Sequence, residues 1–182
     1  MTVTAATARQ TGARGPAGRR VAAALGVTLV AAVDLAAKAW AVAALQDRVI
    51  PVGPVDLRLA YNPGVAFSVG AGAPTWLVLT VTSLVTAAVG VVAWRTAATL
   101  SRERLAALAL VLGGAVANLV DRAGDGVVTD YLHWRCFPTF NLADTAIVTG
   151  AALLVLTSLR HLAPDDAEPS TRPNRSEGDR ST

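Results

Sequence analysis

Charged residues are scarce in this sequence, and cysteine is almost absent. Only 16% of the 182 residues are Asp, Glu, Lys or Arg, against 53% that are hydrophobic, and Cys136 stands alone. A single cysteine excludes an intrachain disulfide framework. So much apolar surface is not typical of a soluble domain of this length. The composition therefore favours one membrane-embedded domain.

Four runs of the sequence carry little or no charge, and they suit the roughly 30 Å hydrocarbon core of a bilayer. We predict spans over 21–45, 74–94 and 105–120, and from 141–144 to about 162. The third span is short, so snorkelling side chains would have to flank it. The prediction is an all-α membrane domain over 21–162, between a disordered basic arm, 1–20, and a disordered tail, 163–182.

A cleaved signal peptide is a rival interpretation of the first span, because basic residues precede an apolar run. The run is too long for that, and a cleavable core is not expected to hold Asp34 and Lys38. We therefore interpret it as a permanent membrane helix.

Residues 46–70 interrupt the apolar pattern between the first two spans. Prolines and glycines prevent a continuing helix, and the alternation of apolar and polar residues over 55–59 predicts a short strand. Residues 61–64 have turn chemistry. We expect a small β element between helices 1 and 2 on the outer membrane surface, and a polar loop over 123–140.

Basic residues concentrate on one predicted side of the membrane. On that side the N-terminal arm, the 95–104 loop and the flank of the fourth span hold eight arginines, and the loops on the other side hold four. The richer set is Arg9, Arg14, Arg19, Arg20, Arg95, Arg102, Arg104 and Arg160. The positive-inside rule then puts both termini in the cytoplasm. Because the arginines flank apolar runs and form no stripe, we expect no nucleic-acid partner.

Two groups of polar residues fall within the predicted spans, where charge is costly. Asp34 and Lys38 share a helix face, either as a neutralising pair that fixes packing or as one wall of an active site. Asn118, Asp121 and Arg122 end the third span. They are either solvated at the helix end or joined in a network in which Arg122 pairs a carboxylate.

Small residues precede that second group. Gly113 and Gly114, with Ala115 and Ala117, would let another helix approach the third span closely.

Asp130 and Asp144 fall on the same side of the membrane by topology. Taken singly, Asp130 could be a turn residue and Asp144 a helix cap. Taken together, two close carboxylates cannot both ionise cheaply, so one would hold a proton near neutral pH. One would then act as general base on water and the other as general acid.

His133 and Cys136 lie three residues apart and suggest a metal site or a thiol nucleophile. The only other histidine, His161, is predicted to lie across the membrane. We therefore expect no metal site and no other cofactor.

Five motifs over residues 34–147 together resemble those of the lipoprotein signal peptidase (signal peptidase II) family. They are Asp34-Leu-Ala-Ala-Lys38-Ala-Trp40, Asn62-Pro-Gly-Val-Ala-Phe-Ser68, Gly113-Gly-Ala-Val-Ala-Asn118-Leu-Val-Asp121-Arg122, Val128-Thr-Asp130-Tyr131 and Phe140-Asn141-Leu-Ala-Asp144-Thr-Ala-Ile147. Each motif alone is weak, but five in order are specific. Ala117 stands where the family usually has glycine.

The resemblance implies a membrane aspartic endopeptidase that removes signal peptides from prolipoproteins by cutting before a diacylglyceryl-modified cysteine. The family's catalytic aspartates fall on Asp130 and Asp144, and residues 46–70 match its β-cradle. Its substrate-holding positions fall on Asn62, Asn118, Arg122 and Asn141, and its supporting positions on Asp34, Lys38 and Asp121.

The resemblance also implies a multi-pass protein of the bacterial cell (inner) membrane, with lipid-modified prolipoproteins and membrane lipid as partners. We expect a monomer. Two other functions stay open from the residues alone. A small transporter or channel would use the buried charges as an ion relay, although no inverted repeat is visible. A structural membrane subunit would use them only to pair helices.

Overall fold

The computed structural model describes residues 15–64, 72–135 and 137–162. Four helices and three strands make up this part of the chain. In order they are α1 (Pro16–Ala44), β1 (Ile50–Val52), β2 (Val55–Asn62), α2 (Thr75–Thr96), α3 (Arg102–Asp125), β3 (Val128–Trp134) and α4 (Leu142–Leu162).

Each of the four helices is long and apolar enough to cross a membrane, which confirms the predicted number of spans. Two helices are longer than the apolar runs suggest. The first begins at Pro16, a favoured first position, so residues 16–20 of the predicted arm are helical. The third is capped by Ser101 and continues to Gly126, whose φ of 90° ends it.

Apolar side chains cover much of the outer surface of the helices. Leu25, Leu29 and Leu84 are each about two-thirds exposed. The exposed Trp76 and Trp94 lie near the two ends of α2, about 27 Å apart at 1.5 Å per residue. Tryptophans at that spacing suit the two interfaces of a bilayer.

The strands form one antiparallel sheet in the order β1-β2-β3. The predicted strand over 55–59 is confirmed, as part of β2. The expectation of a polar loop over 123–140 is wrong, because Val128–Trp134 is a strand paired with β2. The sheet therefore joins the chain between α1 and α2 to the chain between α3 and α4. Its register pairs Ala60 with Asp130.

The third helix is the centre of the bundle and packs mainly against α1 and α4. A Cβ on Gly113 would lie 2.6 Å from Cβ of Val30, and one on Gly114 would lie 2.4 Å from the Ala143 carbonyl oxygen. The predicted close approach at these glycines is therefore confirmed. Ala117 is fully buried against Ala31 and Ala143, whose small side chains leave room for its methyl group.

Arginines tie the helix ends together opposite the sheet. The Arg19 guanidinium donates to the carbonyl oxygens of Ala97 and Leu100, and Arg20 lies 5.1 Å from the centre of the Trp94 ring. Arg104 donates to the Thr157 carbonyl oxygen. The bundle therefore has an end with arginines and an end with the sheet.

Candidate active site

Asp130 lies in the middle of β3 and is 3% exposed. Side chains alternate along a strand, so Asp130 and its neighbour Tyr131 point to opposite faces. Tyr131 packs against Ala41 of α1 and against Leu45, which directly follows that helix, and these contacts fix the strand on α1. Anchoring the strand in this way also fixes the direction of the Asp130 carboxyl group.

The chain after β3 turns back and pairs with it just before α4 begins. Phe140 and Leu132 exchange backbone hydrogen bonds of 2.8 and 2.9 Å. The next residue, Asn141, is therefore held beside Asp130, and its side-chain amide donates to Oδ1 of Asp130 at 2.7 Å. Asn141 is completely buried.

The same asparagine holds Asp144. Oδ1 of Asn141 accepts from the Asp144 backbone N–H at 2.9 Å, and Oδ2 of Asp144 accepts from the Asn141 backbone N–H at 3.3 Å. This reciprocal pair is a capping box that starts α4. Asp144 is thus a helix cap, as one interpretation predicted. Asn141 is hydrogen-bonded to both carboxylates, which we call the aspartate pair.

A buried lysine organises the neighbouring helices. Nζ of Lys38 lies 2.9 Å from Oδ2 of Asp34 and 3.1 Å from Oδ2 of Asp121, and it donates to Oδ1 of Asn118 at 2.6 Å. We call Asp34, Lys38, Asn118 and Asp121 the Lys38 cluster. Lys38 is 3% and Asp34 1% exposed, and a charge buried in this way is costly unless it is paired. The contacts of Lys38 with Asp121 and Asn118 therefore fix the packing of α1 against α3.

The Lys38 cluster also contacts the aspartate pair. Because Lys38 occupies Oδ1 of Asn118, the amide nitrogen of Asn118 faces Asp144 and donates to its Oδ1 at 2.8 Å. Oδ1 of Asp34 accepts from the Ala143 backbone N–H at 2.8 Å. Two contacts thereby position the first turn of α4.

Asp121 connects the Lys38 cluster to β3 through Thr129. The Thr129 backbone N–H donates to Oδ2 of Asp121 at 2.7 Å, and the hydroxyl lies 3.3 Å from Oδ1. Thr129 is buried and directly precedes Asp130. Thr129 was not among the predicted site residues, because nothing near it in the sequence indicates its contact with Asp121.

Arg122 and Asn62 close the site on the side of β2. The expectation that Arg122 pairs a carboxylate is wrong for the described part of the chain, where Arg122 donates to the carbonyl oxygens of Asn62 and Gly64. An arginine that binds the end of a strand in this way fixes the backbone there. Asn62 also forms a side-chain hydrogen bond with Asp130.

The environment of Asp130 disfavours its charged form. Burial, and secondarily the negative charge of Asp144, raise the pKa of Asp130 to about 7, although hydrogen bonds from Asn141 and Asn62 oppose this rise. Near neutral pH the Asp130 carboxyl is therefore close to half-protonated. A carboxyl group in this state can serve as a proton donor.

A groove of about 400 Å³ leads to the aspartate pair between α2, α3 and α4. Valines and leucines such as Val81, Val85 and Leu112 line most of it. Asp144, Asn118, Arg122 and Asn62 supply its polar lining. A mostly apolar cleft with a few convergent polar groups is typical of a ligand site.

The predicted alternative with a metal or thiol falls largely outside the described residues, because Cys136 is not among them. Nδ1 of His133 lies 3.5 Å from the Thr139 hydroxyl. Within residues 15–64, 72–135 and 137–162, no three His, Cys, Asp or Glu side chains form a group that could hold a metal ion.

Fold and site define a four-helix membrane protein with a buried carboxyl group, Asp130, and a half-buried one, Asp144, at the end of an apolar groove. The model of the family described as signal peptidase (SPase) II matches residues 26–160 of this chain. A lipoprotein signal peptidase of Rhodococcus jostii is 44% identical over 147 residues, covering 75% of this chain and 72% of the relative. The lipoprotein signal peptidase of Pelotomaculum thermopropionicum is 41% identical over 157 residues, covering 82% of this chain and 95% of the relative.

A solved structure, described as a bacterial membrane enzyme, shares the fold. It matches with a TM-score of 0.68 at 21% identity, over 84% of this chain and 95% of that one. At this identity the likeness concerns the fold alone.

The chain belongs to the signal peptidase II family of membrane aspartic peptidases, which cleave signal peptides from prolipoproteins. The five motifs predicted this family correctly. Membership sets aside the transporter and structural-subunit hypotheses.

Proposed function

We propose that Asp130 and Asp144 are the catalytic residues with which this chain cuts prolipoproteins before a diacylglyceryl-modified cysteine. The observation that carries the proposal is the double contact of Asn141, which donates to Oδ1 of Asp130 at 2.7 Å and forms the capping box with Asp144. One buried residue therefore contacts both carboxyl groups, that of Asp130 through its side-chain amide and that of Asp144 through its backbone N–H.

The proton at rest belongs on Asp130, whose pKa is raised to about 7. Asp144 then acts as the base. It takes a proton from a water molecule as the water oxygen attacks the scissile carbonyl carbon, and Asp130 gives its proton to the carbonyl oxygen. In the second step the C–N bond breaks. Asp144 returns its proton to the leaving nitrogen, and Asp130 recovers one from the tetrahedral intermediate.

The remaining polar residues hold substrate or support the pair. Asn62, Asn118 and Arg122 line the groove beside Asp144, so they are placed to contact the peptide near the scissile bond. Asn141 orients both carboxyl groups. Asp34, Lys38 and Asp121 act through Asn118, Thr129 and the first turn of α4.

The apolar groove suits a substrate that stays in the bilayer. Its lining by α2, α3 and α4 gives acyl chains or an apolar signal peptide a route from the lipid to Asp144. A lipid-modified prolipoprotein has both features. The groove supports membrane lipid as a partner, and a single chain provides every group the reaction needs, which supports a monomer.

The orientation follows from the arginines. Their concentration at the end opposite the sheet supports cytoplasmic termini and an aspartate pair at the outer face of the bacterial inner membrane. The membrane peptidase domain then runs from the start of α1 at Pro16 to the end of α4 at Leu162, with the β-cradle at its outer face. The arm and the tail lie largely outside the described residues and would both be cytoplasmic.

Cleavage of a purified, lipidated prolipoprotein tests the proposal. Asp130→Asn and Asp144→Asn should each lower the rate at least about 100-fold, because general acid–base catalysis contributes roughly 10²–10⁴-fold. Asp56→Asn, a carboxyl on β2 that pairs with His133 in the sheet, is the control and should keep the normal rate. Normal turnover by either site variant, in protein that inserts like the wild type, would refute the assignment.

A further inference from the structure

A second groove lies between α1 and α3, toward the end of the bundle with the arginines. It holds about 740 Å³ and begins at Arg19 and Arg102, from which it extends to Val30 and Leu110. From Arg19 to Val30 it follows α1 for about 16 Å. Asp34 and Lys38 lie beyond this stretch of α1, so the groove is separate from the aspartate pair.

The lining of this groove is apolar except at its arginine end. Ala23 and Ala106 keep it open because their side chains are too small to fill the space between the helices. An apolar cleft of this length that faces the membrane suits an acyl chain better than water.

The arginine end supplies positive charge that the described residues do not neutralise. Arg102 is exposed, and its guanidinium makes no hydrogen bond or ion pair with any residue of 15–64, 72–135 and 137–162. Arg19 donates to two backbone carbonyl oxygens, which leaves some of its N–H groups without those partners. Glu103 is the only acidic residue between 95 and 104.

We propose that the α1–α3 groove binds an anionic phospholipid, with an acyl chain along the groove and the phosphate between Arg19 and Arg102. Guanidinium groups bind phosphate oxygens with good geometry, and basic pockets between membrane helices bind anionic headgroups. The lipid would join α1 to α3 at the end of the bundle where Arg19 already joins α1 to the α2–α3 connection.

The test is native mass spectrometry of the full chain, titrated with phosphatidylglycerol or with phosphatidylcholine of the same acyl chains. The wild type should bind phosphatidylglycerol several-fold more tightly. Arg102→Gln should weaken that binding about fivefold, the effect of about 1 kcal/mol per arginine near a membrane surface. Phosphatidylcholine binding should hardly change.

Two further variants distinguish lipid binding in the groove from non-specific electrostatic attraction between anionic lipid and the arginine end of the bundle. Arg95→Gln removes the same charge at the same end of the bundle but outside the groove, and it should leave binding unchanged. Ala106→Phe fills the groove from an exposed position and should weaken both lipids. Equal binding of the two lipids by the wild type, an Arg95→Gln loss as large as that of Arg102→Gln, or undiminished binding by Ala106→Phe would each overturn the proposal.

Discussion

The Lys38 cluster and the aspartate pair are adjacent, yet their charges are neutralised in different ways. In the Lys38 cluster a lysine lies within 3.1 Å of both Asp34 and Asp121. Among the described residues, the aspartate pair has no such cation and receives only amide donors. A proton therefore has to neutralise one member of the pair. The comparison indicates that a lysine neutralises the carboxyl groups of the scaffold, whereas a proton neutralises the aspartate pair, as its proposed acid–base role requires.

Lys38→Met should produce the largest change in stability. It leaves the buried Asp34 and the half-buried Asp121 without their cation, and loss of one partner of a buried pair costs roughly 3–5 kcal/mol. Thermal unfolding in detergent should show a much lower midpoint than that of Arg58→Met, a control on the exposed face of β2. Equal midpoints for the two variants would mean that Lys38 does not hold the bundle together.

Asn141→Ala should reduce activity more than it reduces stability. It removes the contact with Asp130 and half of the capping box, so the carboxyl groups lose their common support. Misplacement of reacting groups by about 1 Å can cost about 100-fold in rate. The control is Thr139→Ala, in the same connection but directed at His133 and Arg58. If both variants cleave the lipidated precursor equally well, Asn141 is not a positioning residue.

Gly114→Ala should have a smaller effect, of about 1–3 kcal/mol for overpacking. Its new Cβ would lie 2.4 Å from the Ala143 carbonyl oxygen, beside Asp144, so α4 has to shift. Gly124→Ala is the matched control, because no atom lies within 4 Å of a Cβ there. Unfolding and cleavage are measured on both. A Gly114→Ala protein that matches Gly124→Ala in both would contradict the close packing.

The smallest effect is the dependence of the rate on pH. Asp130 has to be protonated to act as acid, so the rate should fall toward tenfold per pH unit above its pKa of about 7. Below that pKa the rate should stay constant only while Asp144 remains ionised to act as base. The contribution of Asp130 to the free energy of unfolding also decreases as pH rises. The folded pKa lies above the unfolded value of about 3.9, so the contribution of Asp130 is lost as pH rises from about 4 through 7. A rate that rises through pH 7 would reverse the two roles.

Much of the fold and most of the site residues could be predicted from the sequence, because apolar runs and ordered motifs are local signals. The strand β3 could not be predicted from the sequence. Its polar residues Thr129 and Asp130 resemble a loop in the sequence, because their strand partners Tyr61 and Ala60 lie about 70 residues earlier.

The partners of two charged side chains also needed the structure. Nothing near Arg122 in the sequence indicates that it binds the carbonyl oxygens of Asn62 and Gly64. Lys38 contacts Asn118, and Asn118 contacts Asp144, only because three helices meet at the small residues of α3. Contacts of this kind depend on packing between distant segments.

The central claim is that Asp130 holds a proton near neutral pH because of its burial and the Asp144 charge. Its most direct test is a titration of the Asp130 carboxyl group. Infrared difference spectra between the wild type and Asp130→Asn would follow it from pH 4 to 9, and the same spectra would be recorded in the Asp144→Asn background. We expect a midpoint near pH 7 in the wild type and a lower one without the Asp144 charge. A wild-type midpoint near that of an ordinary aspartate, or one that Asp144→Asn leaves unchanged, would contradict the account.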